Sequence, residues 1–98
     1  MSKKNSMDYL YSDGNEIILI EELQRKTQRE VVLQYKDCRK NQKMTQVELA
    51  KITGIPQPNI TRFESDKSNP TLEKLVKMAA ALGKKVTIQL EDLDEKIR

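Results

Sequence analysis

Between Val31 and Leu82 the apolar residues recur at intervals of three and four, the period of helices that bury one face. Val31, Val32, Tyr35 and Cys38 form a first stripe. Thr27 and Glu30 precede it at capping-box spacing and predict a helix over about residues 28–42. Leu49, Ala50 and Ile52 give a second, shorter stripe, which Thr45 and Glu48 open with another capping box. Gly54 then supplies the left-handed conformation that ends a helix, and Ile55 in the turn is expected to drop into the core. A third helix starts around Pro56 or Gln57. Pro58 fits its first turn, where a missing N–H has no intrahelical partner to lose. There Ile60 and Phe63 face inward, while Pro58, Thr61, Arg62 and Ser65 point away and Gln57 and Asn59 sit at the exposed end.

Asn69 and Pro70 open a fourth helix, with Leu72, Leu75, Val76, Met78, Ala79 and Leu82 expected inside and Gly83 at its end. The period then changes from helical to two. In Lys84–Leu90, KKVTIQL, Val86, Ile88 and Leu90 alternate with Thr87 and Gln89, the pattern of a short strand. The first 26 residues follow neither rule cleanly. Asp13-Gly14 between Tyr9–Tyr11 and Ile17–Leu19 has the form of a hairpin turn, but Ile20, Glu22 and Leu23 fit a helix, and a helix from about Asn15 to Arg25 is favoured. Its apolar side either packs on the core or docks onto a partner protein.

The span Thr45–Glu64 thus describes two short helices across a tight glycine turn, a helix-turn-helix. That motif sets its second helix in the DNA major groove, with the residues near the helix N-terminus at base edges. A polar outer face alone would be ordinary for any solvated helix. A capped helix, a glycine turn and a Gln, Asn and Arg face within twenty residues point instead to DNA.

These residues resemble the helix-turn-helix of the Cro and phage-repressor family, also called the XRE family. The likeness rests on Thr45-Gln46, Glu48-Leu49-Ala50, Gly54, Ile60 and Phe63-Glu64, then Asn69-Pro70 before Leu72 and Leu75, and runs from about Val31 to Leu82. It implies a lambda-repressor-like bundle in which the 28–42 helix is the first of the core. It also implies that Gln46 holds a phosphate, that Gln57, Pro58 and Arg62 occupy base-reading positions, and that Asn59, Thr61, Lys67 and Asn69 lie on the DNA-facing side. Pro58 departs from the usual polar residue and should read its base by apolar contact or not at all. Arg39 and Glu64 match positions that form a partly buried structural ion pair, for which arginine's planar fork is suited; Arg39 on phosphate is the competing reading.

Composition narrows the class further. A chain of 98 residues makes one small domain. It holds no histidine and one cysteine, Cys38, so zinc ligation, a disulfide framework and Cys-His catalysis have no residues to work with. Cys38 is expected as a small buried hydrophobe. No enzyme activity, cofactor or metal is expected. The longest apolar run, Ile17–Ile20, is too short for a signal peptide or membrane span, and a cytoplasmic location is expected, at the nucleoid when DNA is bound.

The net charge of +3 is uneven along the chain. Residues 1–25 carry three basic and five acidic side chains, whereas residues 26–67 carry nine basic and five acidic. The positive excess therefore falls on the helix-turn-helix, and Lys36, Lys40, Lys43, Lys51 and Lys67 are candidates for phosphate contacts.

The layout of residues 1–26 as an acidic and apolar extension, 27–83 as a DNA-binding domain and 84–98 as a strand and tail resembles the HigA-type antitoxins. That resemblance implies a protein that neutralises an mRNA-cleaving toxin of the HigB and RelE kind and represses its own operon. Ile17, Ile18, Ile20 and Leu23 are the candidate toxin-binding residues, and the acidic extension suits a basic partner. A stand-alone repressor whose extension only completes its fold is the alternative. The fold expected is all-α, with the short C-terminal strand pairing either across a two-fold axis, giving a homodimer on a palindromic operator, or with the chain's own N-terminal segment.

Overall fold

The computed structural model describes residues 9–11 and 17–93. Contacts divide the chain into two units, one of residues 1–27 with 89–98 and one of residues 28–88. In the first unit, β1 (Tyr9–Tyr11) and β2 (Ile17–Leu19) form an antiparallel two-stranded sheet, with Leu10 opposite Ile18. The Asp13-Gly14 pair expected to turn a hairpin lies outside the described residues.

The favoured helix from Asn15 to Arg25 is therefore corrected. Ile17–Leu19 are strand, and α1 (Ile20–Asn41) starts later and runs for 22 residues. The β-branched run Ile17-Ile18 suits a pleated backbone, and nothing between Leu23 and Gln28 breaks a helix, so Thr27 and Glu30 lie inside α1 rather than at its start. Glu21 and Glu22 in the first turn and Arg39 and Lys40 in the last complement the helix dipole.

In the second unit, α2 (Gln46–Thr53), α3 (Gln57–Glu64) and α4 (Leu72–Ala81) follow. Lys43 at φ 56° turns the chain after α1, and Asp66 at φ 61° turns it after α3. At Thr45 the hydroxyl accepts from the Glu48 N–H at 3.0 Å and the Glu48 carboxylate accepts from the Thr45 N–H at 2.8 Å, so two otherwise orphaned donors are satisfied. Gly54, at φ 78°, closes α2 and donates its N–H to the Ala50 carbonyl. The cap of α4 is Thr71, whose hydroxyl accepts from the Lys74 N–H, so Asn69 and Pro70 precede the helix without capping it.

The core gathers Val32, Leu49, Ile55, Ile60, Phe63, Met78 and Leu82, with Ile60 fully buried and Tyr35, Cys38, Ala50 and Leu75 packed around them. Three expected core residues face out instead: Ile52, Leu72 and Val76 are 60%, 56% and 49% exposed. The inward arc of α2 runs from Leu49 through half-buried Thr53 to Ala50, and Ile52 falls beyond its edge. On α4 the arc runs through Met78, Leu82, Leu75 and Ala79, which leaves Val76 on the far side.

The C-terminal strand is also corrected. Lys84–Leu90 forms no ladder with any described residue, and Ile88 and Leu90 are 69% and 97% exposed. An alternating sequence becomes a strand only where a second edge supplies hydrogen bonds.

Candidate nucleic-acid interface

α3 is held by Ile60, Phe63 and Glu64 on its inner side. The opposite arc exposes Gln57, Pro58, Thr61 and Arg62, with Asn59 half-buried beside them. No acidic residue lies in the first turn of α3, and Arg62 supplies a cation near its end. The N-cap is Pro56, which makes no side-chain hydrogen bond, so the N-terminal end of this helix stays polar and uncapped by the protein.

Behind this face, Arg39 and Glu64 are both buried, at 7% and 8% exposure. The guanidinium grips the carboxylate twice: Nε donates to Oε2 at 2.7 Å and Nη2 donates to Oε1 at 2.8 Å. Arg39 Nη1 also donates to the Met44 carbonyl at 2.6 Å, tying the end of α1 to the turn before α2. The Glu64 hydrogen bonds raise the Arg39 pKa against the opposing effect of burial. For Glu64, burial pushes the carboxyl up, but hydrogen bonds from Arg39 and Gln46 and the charges of Arg39 and Lys36 outweigh it and leave the group below its ordinary value.

Gln46 and the outer face of α3 are joined by hydrogen bonds. Gln46 Nε2 donates to Glu64 Oε1 at 2.9 Å, while Gln46 Oε1 accepts from Thr61 Oγ1 at 2.7 Å and from Gln57 Nε2 at 3.2 Å. Gln57 Nε2 donates also to Thr61 Oγ1 at 3.0 Å. Three candidate DNA residues thus form one polar cluster anchored on the buried ion pair. On the other flank of α3 an open hollow brings Asn59, Arg62 and Asn69 together, with Ser68, Pro70 and Lys74 also lining it. Lys67 is exposed in the turn between α3 and α4.

Ser68 and Lys74 were not candidates from sequence, because a hollow between a turn and a later helix leaves no local pattern. Ile20 and Leu23 of α1 are half-buried. Ile17 and Ile18 lie on β2, and their side chains fall outside the described residues.

A model of the helix-turn-helix family matches residues 36–89, more than half of the chain. The chain belongs to the helix-turn-helix family. Its members are DNA-binding regulators rather than enzymes. Among curated helix-turn-helix relatives, an uncharacterized HTH-type transcriptional regulator of Haemophilus influenzae is 42% identical over 45 residues, 46% of this chain and 46% of that protein. Antitoxin HigA1 of Mycobacterium tuberculosis is 40% identical over 53 residues, 54% of this chain and 36% of that protein. This helix-turn-helix chain therefore spans less than half the length of these relatives. A solved toxin-antitoxin module from Streptococcus pneumoniae aligns with a TM-score of 0.59 and 27% identity, covering 76% of this chain and 83% of that one. Among the described residues no helix is long and apolar enough to cross a membrane.

Proposed function

We propose that this protein is an antitoxin and autorepressor, which reads operator DNA through α3 and neutralises an mRNA-cleaving toxin of the HigB and RelE kind. The outward face of α3 carries the DNA half of this reading: Gln57, Pro58, Thr61 and Arg62 stand on one exposed arc while Ile60 and Phe63 anchor the opposite one. Gln and Arg are the side chains whose hydrogen-bonding groups match base edges in the major groove, and Gln46, Asn59, Lys67 and Asn69 are assigned to its flanks. Two copies acting on a palindromic site would place two such helices about one turn of DNA apart, in the cytoplasm and at the nucleoid.

The toxin half is supported by the similarity to antitoxin HigA1 and to the solved toxin-antitoxin module, and by Ile17, Ile18, Ile20 and Leu23 as its contact residues. The second reading, a regulator without a toxin, is favoured by the similarity to the Haemophilus transcriptional regulator. Co-expression with the product of the adjacent reading frame tests the choice. A stable complex that blocks mRNA cleavage supports the antitoxin; a chain that binds its own promoter selectively but associates with no neighbouring product supports the plain repressor.

A further inference from the structure

The donors and acceptors around Gln46 can be arranged in only one way, and the cause lies inside the protein. A carboxylate accepts and a guanidinium donates, so Glu64, gripped by Arg39, can only draw a donor from Gln46. That turns Gln46 Nε2 inward, at 2.9 Å from Glu64 Oε1, and its carbonyl Oε1 outward. The carbonyl in turn calls for donors, and it receives the Thr61 hydroxyl at 2.7 Å and Gln57 Nε2 at 3.2 Å. The second hydrogen of Gln57 Nε2 goes to Thr61 Oγ1 at 3.0 Å. Both amide hydrogens of Gln57 are thus committed within the protein, and its exposed side presents the carbonyl oxygen.

We propose that the buried Arg39–Glu64 pair sets the polarity of the DNA-reading surface through Gln46, so that Gln57 offers a hydrogen-bond acceptor and selects the amino bases adenine and cytosine over guanine and thymine. The inference rests on the reading of α3 as the groove-facing helix. In the major groove only adenine N6 and cytosine N4 carry donors. A free glutamine pairs adenine in two places, giving N7 a donor as well; Gln57 has no hydrogen left for N7, so adenine and cytosine should be accepted about equally. Gln57 is then the specificity-determining residue, and Gln46 and Glu64 are positioning residues.

Selection of the full-length protein against a randomised duplex pool tests this. Gln57→Ala identifies the base pair concerned as the one whose preference it erases. At that position the wild-type protein should accept adenine and cytosine alike and disfavour guanine and thymine by about fivefold or more. Gln46→Ala, at a half-buried surface position, should let Gln57 rotate and flatten the preference there while leaving the other positions unchanged. Glu64→Gln should do the same where circular dichroism shows it folded, and Gln46→Ala carries the test where it is not. Adenine alone at that position, or a Gln46→Ala profile that weakens uniformly across all positions, overturns the proposal. Absence of any sequence-selective binding by the wild-type protein overturns instead the assignment of α3 to DNA, and the proposal with it.

Discussion

Tyr35 meets Phe63 edge to face, with ring centroids 5.5 Å apart and planes at 86°, and its hydroxyl donates to the Leu75 carbonyl at 2.8 Å. One side chain of α1 therefore touches both α3 and α4. The Tyr35→Phe variant keeps the ring contact and loses only the hydrogen bond, so it should unfold about 1 kcal/mol more easily. Chemical denaturation reads this, and a variant as stable as the parent would show the Leu75 contact to be inconsequential.

Glu64 gives the pH dependence a sign. Its folded pKa lies below the ordinary value of 4.5, so on acidification the unfolded chain takes up this proton first. The stabilisation is complete above the unfolded pKa and is lost as pH falls through the folded one. Melting temperature should drop below about pH 4.5 more steeply for the parent than for Glu64→Gln. That variant should itself be about 3 kcal/mol less stable at neutral pH, since it leaves the Arg39 charge buried without its partner. Parallel pH profiles for the two proteins would remove Glu64 as a source of acid sensitivity.

Ile60 and Ile52 are the same residue in opposite settings, one fully buried and one 60% exposed. Ile60→Ala should cost about 3 kcal/mol through lost burial and an incompletely collapsed cavity, whereas Ile52→Ala should stay within about 0.5 kcal/mol. Equal losses in a denaturation experiment would place Ile52 in a contact, such as an assembly interface, beyond the isolated chain.

Arg62 separates base reading from backbone contact. If it reads a base, Arg62→Ala should weaken cognate binding by about 1–3 kcal/mol and leave random-sequence binding nearly unchanged. A uniform loss over both DNAs, with a shallower salt dependence, would reassign Arg62 to phosphate.

Ile20 and Leu23, half-buried on α1, address the other proposed partner. Polar replacement of both should abolish toxin association while preserving operator binding by the free protein. Loss of the folded state in circular dichroism would instead make them part of the core.

The helix-turn-helix was legible because its signals are local. Thr45, Glu48 and Gly54 mark the bounds of α2 by the hydrogen bonds and backbone conformation that their own chemistry permits, and Ile60 with Phe63 gives α3 one inner side. Ile52, Leu72 and Val76 were misplaced for a related reason. On helices of eight and ten residues several arcs are apolar enough to be buried, and only the neighbouring helices choose among them. In the N-terminal region Ile17-Ile18-Leu19-Ile20 has no period, so strand and helix compete on equal terms, and the pairing with Tyr9–Tyr11 decides for strand. The cluster of Gln46, Gln57 and Thr61 had only a faint trace in the sequence, the helical i, i+4 spacing of Gln57 and Thr61. Its anchor, Glu64, reaches Gln46 only after α2 and α3 have packed.

The same cluster bears on the thermodynamics of recognition. A glutamine left free in solvent surrenders up to about 2 kcal/mol of rotational freedom when a ligand immobilises it. Gln57 and Gln46 have given up much of that freedom during folding, through bonds to Thr61 and Glu64. Binding should then carry a smaller entropic penalty at these two residues than a flexible surface would impose, and mismatched DNA should meet a side chain that resists readjustment.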